Sequence, residues 1–253
     1  MKSYHAAGVI IAVLCLAGSA FGWPNLISSF TSPCNYPEGL GFLNGELHIA
    51  GPEYYIYRTT TTGSVIGSFR STRWNGGLAA GTINSTDYVW NVGAALLPGP
   101  YRVYRRNATT GSIYGSYQVT YPKPYGLAFR DSQTLYYTDS VEKQLYVLDP
   151  ISGSIRDSHQ LDFEPDELAY DPAGYLWIGK WKASTVFKCT TTGSVVTSFS
   201  SEIYGSAKGC GFDGTYLWLG ITSGSEHRVL QLDVGSEPAV GPASLGRVKA
   251  LFR

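Results

Sequence analysis

Four residues with proton-active side chains recur at one place in a repeating chain. Glu38, Tyr125, Asp166 and Lys208 each stand two positions before an apolar column (Leu40, Leu127, Leu168, Cys210), and Gly76 holds the same place before Leu78. Two acids, a base and a phenol brought to one point can do one of three things. Their oxygens, with those of the loop Asp162-Phe163-Glu164-Pro165-Asp166-Glu167, suit a hard cation, Ca²⁺ above all. Neighbouring carboxyl groups raise one another's pKa and so divide acid and base roles. A solvated loop with a rim ion pair at Lys208 is the third outcome, since charged loop residues are the norm at surfaces.

Aromatic side chains fall in the same set of loops. Trp74 lies in Arg73-Trp74-Asn75 and Trp181 in Lys180-Trp181-Lys182, with Tyr36, Tyr121 and Tyr204 at related places. Such rings stack on sugar faces or pack on a protein partner when exposed, and otherwise lie down as ordinary packing. The ligand-binding set expected from the sequence is therefore Glu38, Trp74, Tyr125, Asp166, Trp181 and Lys208, with no catalytic residue assigned.

Histidine offers little. His48 aligns with Trp90, Tyr136, Trp177 and Trp218, and His159 with Phe30, Phe69, Tyr117 and Phe199, so both read as substitutes in aromatic packing columns. His227, in Gly224-Ser225-Glu226-His227-Arg228, is the one that a serine–histidine–aspartate triad would have to use, and no Gly-x-Ser-x-Gly turn accompanies it. Too few histidines remain for a multi-histidine metal site.

The elements that position these residues follow from a repeat. Thr62-Gly63-Ser64, Thr110-Gly111-Ser112, Ser152-Gly153-Ser154, Thr192-Gly193-Ser194 and a weaker Val234-Gly235-Ser236 set glycines 48, 42, 40 and 42 residues apart. That is the period of a propeller blade and far too long for a β-helix coil. Each unit opens on small apolar residues (Gly39-Leu40-Gly41-Phe42, Gly126-Leu127-Ala128-Phe129) and continues in runs rich in β-branched and aromatic residues, as strands prefer. Thirty glycines, 14% aromatic and only 15% charged residues fit the same picture. The fifth unit lacks a fourth strand, but Leu26-Ile27-Ser28-Ser29-Phe30 matches Val65-Ile66-Gly67-Ser68-Phe69. The expected fold is thus an all-β five-bladed β-propeller of four-stranded antiparallel blades, with units at 39–75, 76–124, 125–165, 166–207 and 208–253. Strand 26–30 completes the last blade and closes the ring, leaving no open edge between the chain ends.

The phrases Tyr125-Gly126-Leu127-Ala128-Phe129, Leu145-Tyr146-Val147-Leu148-Asp149 and Asp213-Gly214-Thr215-Tyr216-Leu217-Trp218 resemble the NHL and YVTN class of bacterial propeller repeats. No unit ends in the Trp-Asp of WD40 repeats. The resemblance implies the fold; its members include scaffolds, ligand-binding proteins, lyases and lactonases.

Lys2, the uncharged apolar run 6–17 and the small residues 18–22 have the layout of a signal peptide over 1–22, leaving 23–253 as the propeller. The protein is expected to be secreted, periplasmic or at the cell surface, to have no membrane span and to be a monomer. Formal net charge is zero with no basic stripe, which argues against nucleic acid as a partner. Cys34 and Cys210 lie near one face in the first and last units, so a Cys34–Cys210 disulfide across the closure is expected, with Cys189 free. The tail after Ser236 is basic and amphipathic and is expected to pack on the rim. The functional expectation is an exported, non-catalytic binding or scaffold protein for a surface protein or glycan, without a cofactor unless Ca²⁺. The alternatives are a propeller enzyme (lyase, lactonase or glutaminyl-cyclase-like) with an acidic, metal-assisted central site, and a purely structural module.

Overall fold

A computed structural model describes residues 24–71, 76–94, 100–119 and 124–235. The 1–22 leader, Trp74, Tyr121 and the basic tail lie outside the described residues. Among the described residues, twenty strands form five separate four-stranded antiparallel sheets. Blade 1 is Gly39–Leu43, Glu46–Ala50, Tyr55–Thr60 and Val65–Arg70, and blade 2 is Leu78–Ile83, Thr86–Ala94, Tyr101–Asn107 and Ile113–Gln118. Blade 3 is Pro124–Asp131, Thr134–Asp139, Gln144–Leu148 and Ile155–Gln160, and blade 4 is Leu168–Asp171, Tyr175–Lys180, Thr185–Thr190 and Val195–Ser200. Blade 5 takes Ser206–Phe212, Leu217–Ser223 and Glu226–Asp233 from the end of the chain and its outermost strand, Asn25–Thr31, from the beginning. That strand runs antiparallel to the last, with Leu26 opposite Leu232 and Phe30 opposite Val229.

The first strand of each blade packs on the first strand of the next, and that of blade 5 on that of blade 1, so the ring closes. Five apolar layers hold it, one between each pair of neighbouring blades. Their largest members are Trp90, Trp177 and Trp218, all fully buried. Trp90 stacks on Phe129 of the next blade at 4.8 Å between ring centroids and donates its indole N–H to the Pro150 carbonyl there at 2.9 Å. His48 does the same work in blade 1: it is buried, and its Nε2 lies 3.0 Å from the Ala108 carbonyl of blade 2. Burial lowers its pKa and keeps the ring neutral.

The repeated turn has a steric cause. Gly63 and Gly111 sit at φ of 88° and 73°, in the left-handed region that favours glycine. A Cβ at either would also strike the aromatic ring that the preceding blade lays on it, Phe30 at 2.5 Å and Phe69 at 2.3 Å. Tyr117 covers Gly153 in the same way, but Gly193 is covered by Leu161 rather than by the expected His159. His159 is partly exposed and lies 3.5 Å from Asp157.

The expected disulfide is corrected. Cys34, Cys189 and Cys210 are all free and buried. Cys34 belongs to the layer between blades 5 and 1, with Leu40 and Trp218, whereas Cys210 belongs to the layer between blades 4 and 5, with Trp177 and Leu219. The two thiols thus lie on opposite faces of blade 5. Burial raises the Cys34 and Cys189 pKa to about 12 and pushes Cys210 up as well, so the thiols stay protonated and inert.

Candidate functional site at the axial mouth

The first strands meet around the axis through small residues. A Cβ on Gly41 would lie 2.5 Å from Leu78, and one on Gly81 would lie 2.1 Å from Phe129. The axis is filled below the mouth: a cavity of only about 40 Å³ remains among Leu40, Leu78, Leu127, Leu168 and Cys210 and their neighbours. The axial mouth is the end of the axis where these strands begin.

Glu38, Tyr125, Asp166 and Lys208 stand at that end in blades 1, 3, 4 and 5. In blades 1 and 4 the ladder runs one step beyond the strand: Glu38 donates its N–H to the Ala50 carbonyl at 2.8 Å, and Asp166 donates to Gly179 at 2.9 Å. Blades 3 and 5 do otherwise. The pairing of Pro124–Asp131 with Thr134–Asp139 slips between Pro124 and Leu127, and that of Ser206–Phe212 with Leu217–Ser223 slips between Ala207 and Gly209. Tyr125 and Lys208 occupy these β-bulges, a device that re-aims a side chain and is over-represented beside active sites. Thr138 ties the blades together beneath them, accepting from the Gly126 N–H at 2.9 Å and donating to the Asp166 carbonyl at 2.7 Å.

Glu167 is the fifth member. The residue before the leucine column is glycine in the other four blades (Gly39, Gly77, Gly126, Gly209), because a Cβ there would meet the next blade's main chain at 2.0–2.7 Å. In blade 4 a glutamate takes this place and is buried, 4% exposed. Burial first, and then the Glu38 and Asp166 charges, hold its carboxyl well above the usual range.

The charges act on one another across the mouth. Burial raises the Glu38 pKa to about 7; Lys208 opposes the shift and Glu53 adds to it. Burial lowers the Lys208 pKa while Glu38, Asp166 and Glu167 support its charge. Burial also lifts Tyr125 to about 12, with Asp166 and Glu38 contributing. The mouth thus holds a Glu167 carboxyl pushed up by burial, a Lys208 ammonium pushed down by it, and a Glu38 raised to about 7.

Trp74 lies outside the described residues. Trp181 opens the short 3-10 helix Trp181–Ala183, which packs on the strand Ser206–Phe212 that carries Lys208. In the acidic loop, Phe163 is buried and stacks on Phe187 at 4.2 Å, while Asp162 and Glu164 point to solvent. Among the described residues no three His, Cys, Asp or Glu side chains are gathered as metal ligands, so within them no ligand set stands out for Ca²⁺.

Sequence spacing overlooked Glu53 and counted Glu167 only among the acids of the loop 162–167. Glu167 had a signal, a charged residue in a glycine column. Glu53 had none, because it lies in a loop whose counterparts differ between blades.

A second cavity lies beside the mouth, at the seam where the N-terminal strand closes the ring. It has a volume of about 590 Å³ and is lined by residues 31–35, Glu53 and residues 225–228.

By fold the chain is a five-bladed β-propeller. It is similar to glutaminyl cyclase from Myxococcus xanthus, with 13% identity, a TM-score of 0.65, and coverage of 84% of this chain and 97% of that one. It is also similar to the PQQ-bound aldose sugar dehydrogenase of Streptomyces coelicolor, with 14% identity, a TM-score of 0.54, and coverage of 84% and 98%. The gluconolactonase of Xanthomonas campestris has 20% identity, a TM-score of 0.50, and coverage of 74% and 68%. At these identities the likeness is one of fold. No protein-family model and no curated sequence matches the chain.

Proposed function

We propose that the protein is an exported acid–base enzyme whose reacting centre is the axial mouth, with Glu38 as the proton-transfer group and Lys208 as its charged partner. The observation that supports this most is the convergence of Glu38, Tyr125, Asp166, Glu167 and Lys208 from four blades, two of them aimed by β-bulges, on one end of a filled axis. A general base works best when its pKa is close to the operating pH, and Glu38 sits at about 7.

Cyclisation of a glutaminyl group is the concrete reaction this arrangement suits. A neutral amine attacks the side-chain amide carbon, a C–N bond forms, and the bond to the departing nitrogen breaks. One proton must leave the attacking nitrogen and reach the leaving one, so that ammonia departs. Glu38 can take and return that proton, while Lys208 stabilises charge developing on the carbonyl oxygen. Lyase and lactonase chemistry make the same demand for one group that gains and loses a proton near neutrality.

The test is ammonia release from peptides with N-terminal glutamine, in parallel with hydrolysis of a δ-lactone. One of the two is expected to turn over, with kcat/KM rising through pH about 7 as Glu38 ionises. Glu38→Gln is expected to lower it by ~10²–10⁴-fold. Turnover that Glu38→Gln leaves unchanged removes the assignment.

The second reading is a non-catalytic binding protein for a glycan or surface protein, favoured by the open cavity at the seam. It gains if neither substrate turns over. Both readings include export of a monomer, with residues 1–22 as the signal. N-terminal sequencing of the exported chain is expected to begin at Trp23.

A further inference from the structure

We propose that the seam cavity is a saccharide-binding site distinct from the axial mouth. Its volume of about 590 Å³ falls in the range of small-molecule sites, ~300–1,000 Å³. The main chain around it is already engaged: Ser32 N–H donates to the His227 carbonyl at 2.8 Å, Asn35 N–H to Glu53 Oε1 at 3.0 Å, and Tyr36 N–H to His227 Nδ1 at 3.3 Å. A peptide entering as an added strand finds no open ladder here. Recognition is left to side-chain ends.

Those ends are Asn35, Glu53, Glu226, His227 and Arg228. Asn35, Glu53, Glu226 and Arg228 finish in flat polar groups with donors or acceptors set side by side, the geometry that engages adjacent hydroxyls in pairs, and His227 adds one ring nitrogen. Charges of both signs are present, so neither a simple anion nor a simple cation is favoured. A neutral polyol can donate to the carboxylates and accept from the guanidinium and the imidazole. The imidazole tautomer follows from its contacts. A backbone N–H can only donate, so Nδ1 is the acceptor for Tyr36, with Thr222 Oγ1 also at 3.3 Å. The ring proton of the neutral form is then on Nε2, leaving it as a donor.

One ring beside the cavity offers an apolar surface of the kind that the C–H face of a sugar requires. Tyr36 is 43% exposed, with its ring 4.7 Å from that of His227, which lines the cavity. Tyr36 also holds a left-handed backbone, φ 48°, without being glycine. Strain of this kind gathers at ligand clamps.

The experiment is calorimetric titration of the full chain with maltose, cellobiose, lactose and chitobiose, up to about 20 mM so as to reach millimolar Kd. At least one disaccharide is expected to bind saturably. Asn35 and Glu226 are exposed, so Asn35→Ala and Glu226→Ala are expected to keep the wild-type Tm and to weaken binding about tenfold or more, about 1.4 kcal/mol. Glu38→Gln is expected to leave binding intact whatever it does to turnover, which separates this site from the axial one. The proposal is overturned if no disaccharide binds, if both seam variants bind as the wild type does, or if citrate or spermidine binds in place of the sugars.

Discussion

Glu38 shows how one carboxyl can be tuned by its surroundings. Its pKa in the folded chain, about 7, lies above the ordinary 4.5. The native state therefore keeps a proton that the unfolded chain has already released between these values. Its contribution to stability is fully present below about pH 4.5 and is lost as pH rises to about 7. A tenfold difference in proton affinity between the folded and unfolded chain is worth about 1.4 kcal/mol, and partial solvent access holds the whole effect to about 2 kcal/mol. Urea unfolding at pH 5 and pH 8 is expected to show the wild type losing stability as pH rises and Glu38→Gln losing less, so that the variant is the more stable protein at pH 8. Glu167→Gln is expected to flatten the profile further, since its carboxyl is held up by burial in the same sense. Parallel profiles for wild type and Glu38→Gln would mean that Glu38 is solvated.

The blade is a poor structure by itself. Two of its four strands are edges, and its apolar faces are tolerated only because a neighbour covers them. The packing layers are where stability resides. Trp90, fully buried, fills the layer between blades 2 and 3, stacks on Phe129 and bonds to Pro150. Trp90→Ala removes that contact area and strands a buried carbonyl. It is expected to cost about 3–5 kcal/mol, read as a lower midpoint in urea with little change in slope. The turn glycines are the other half of the same interlock. The preceding blade's Phe30, Phe69 or Tyr117 lies where a Cβ would be, so the Thr-Gly-Ser phrase records a contact between blades as well as a turn within one.

Closure is a property of the whole molecule. Asn25–Thr31 pairs with Glu226–Asp233 over its length, and Phe30 reaches Gly63 in the turn between the third and fourth strands of blade 1. Deleting residues 24–31 leaves the edge of Glu226–Asp233 bare and uncovers the layer between blades 5 and 1. Such edges template association. The shortened chain is expected to elute as soluble aggregate and to lose its single cooperative urea transition; a monomer with wild-type cooperativity would show that the seam carries little of the stability. The seam also builds function into closure, because the saccharide site proposed above exists only where the two chain ends meet.

The sequence by itself determined the repeat, the number of blades, the strand that closes the ring and the place of Glu38, Tyr125, Asp166 and Lys208 at one end of it. All of these follow from period and alternation, which are local and survive in any one blade. Glu167 was visible as a glutamate in a glycine column, although its burial was not. The tertiary structure alone decided which face of blade 5 each thiol occupies, that Leu161 rather than His159 covers Gly193, that bulges aim Tyr125 and Lys208, and that Glu53 stands beside Glu38. These depend on a one-residue slip in register or on the path of a loop. A slip of one residue turns a side chain to the other face of a strand, and no repeat period records it.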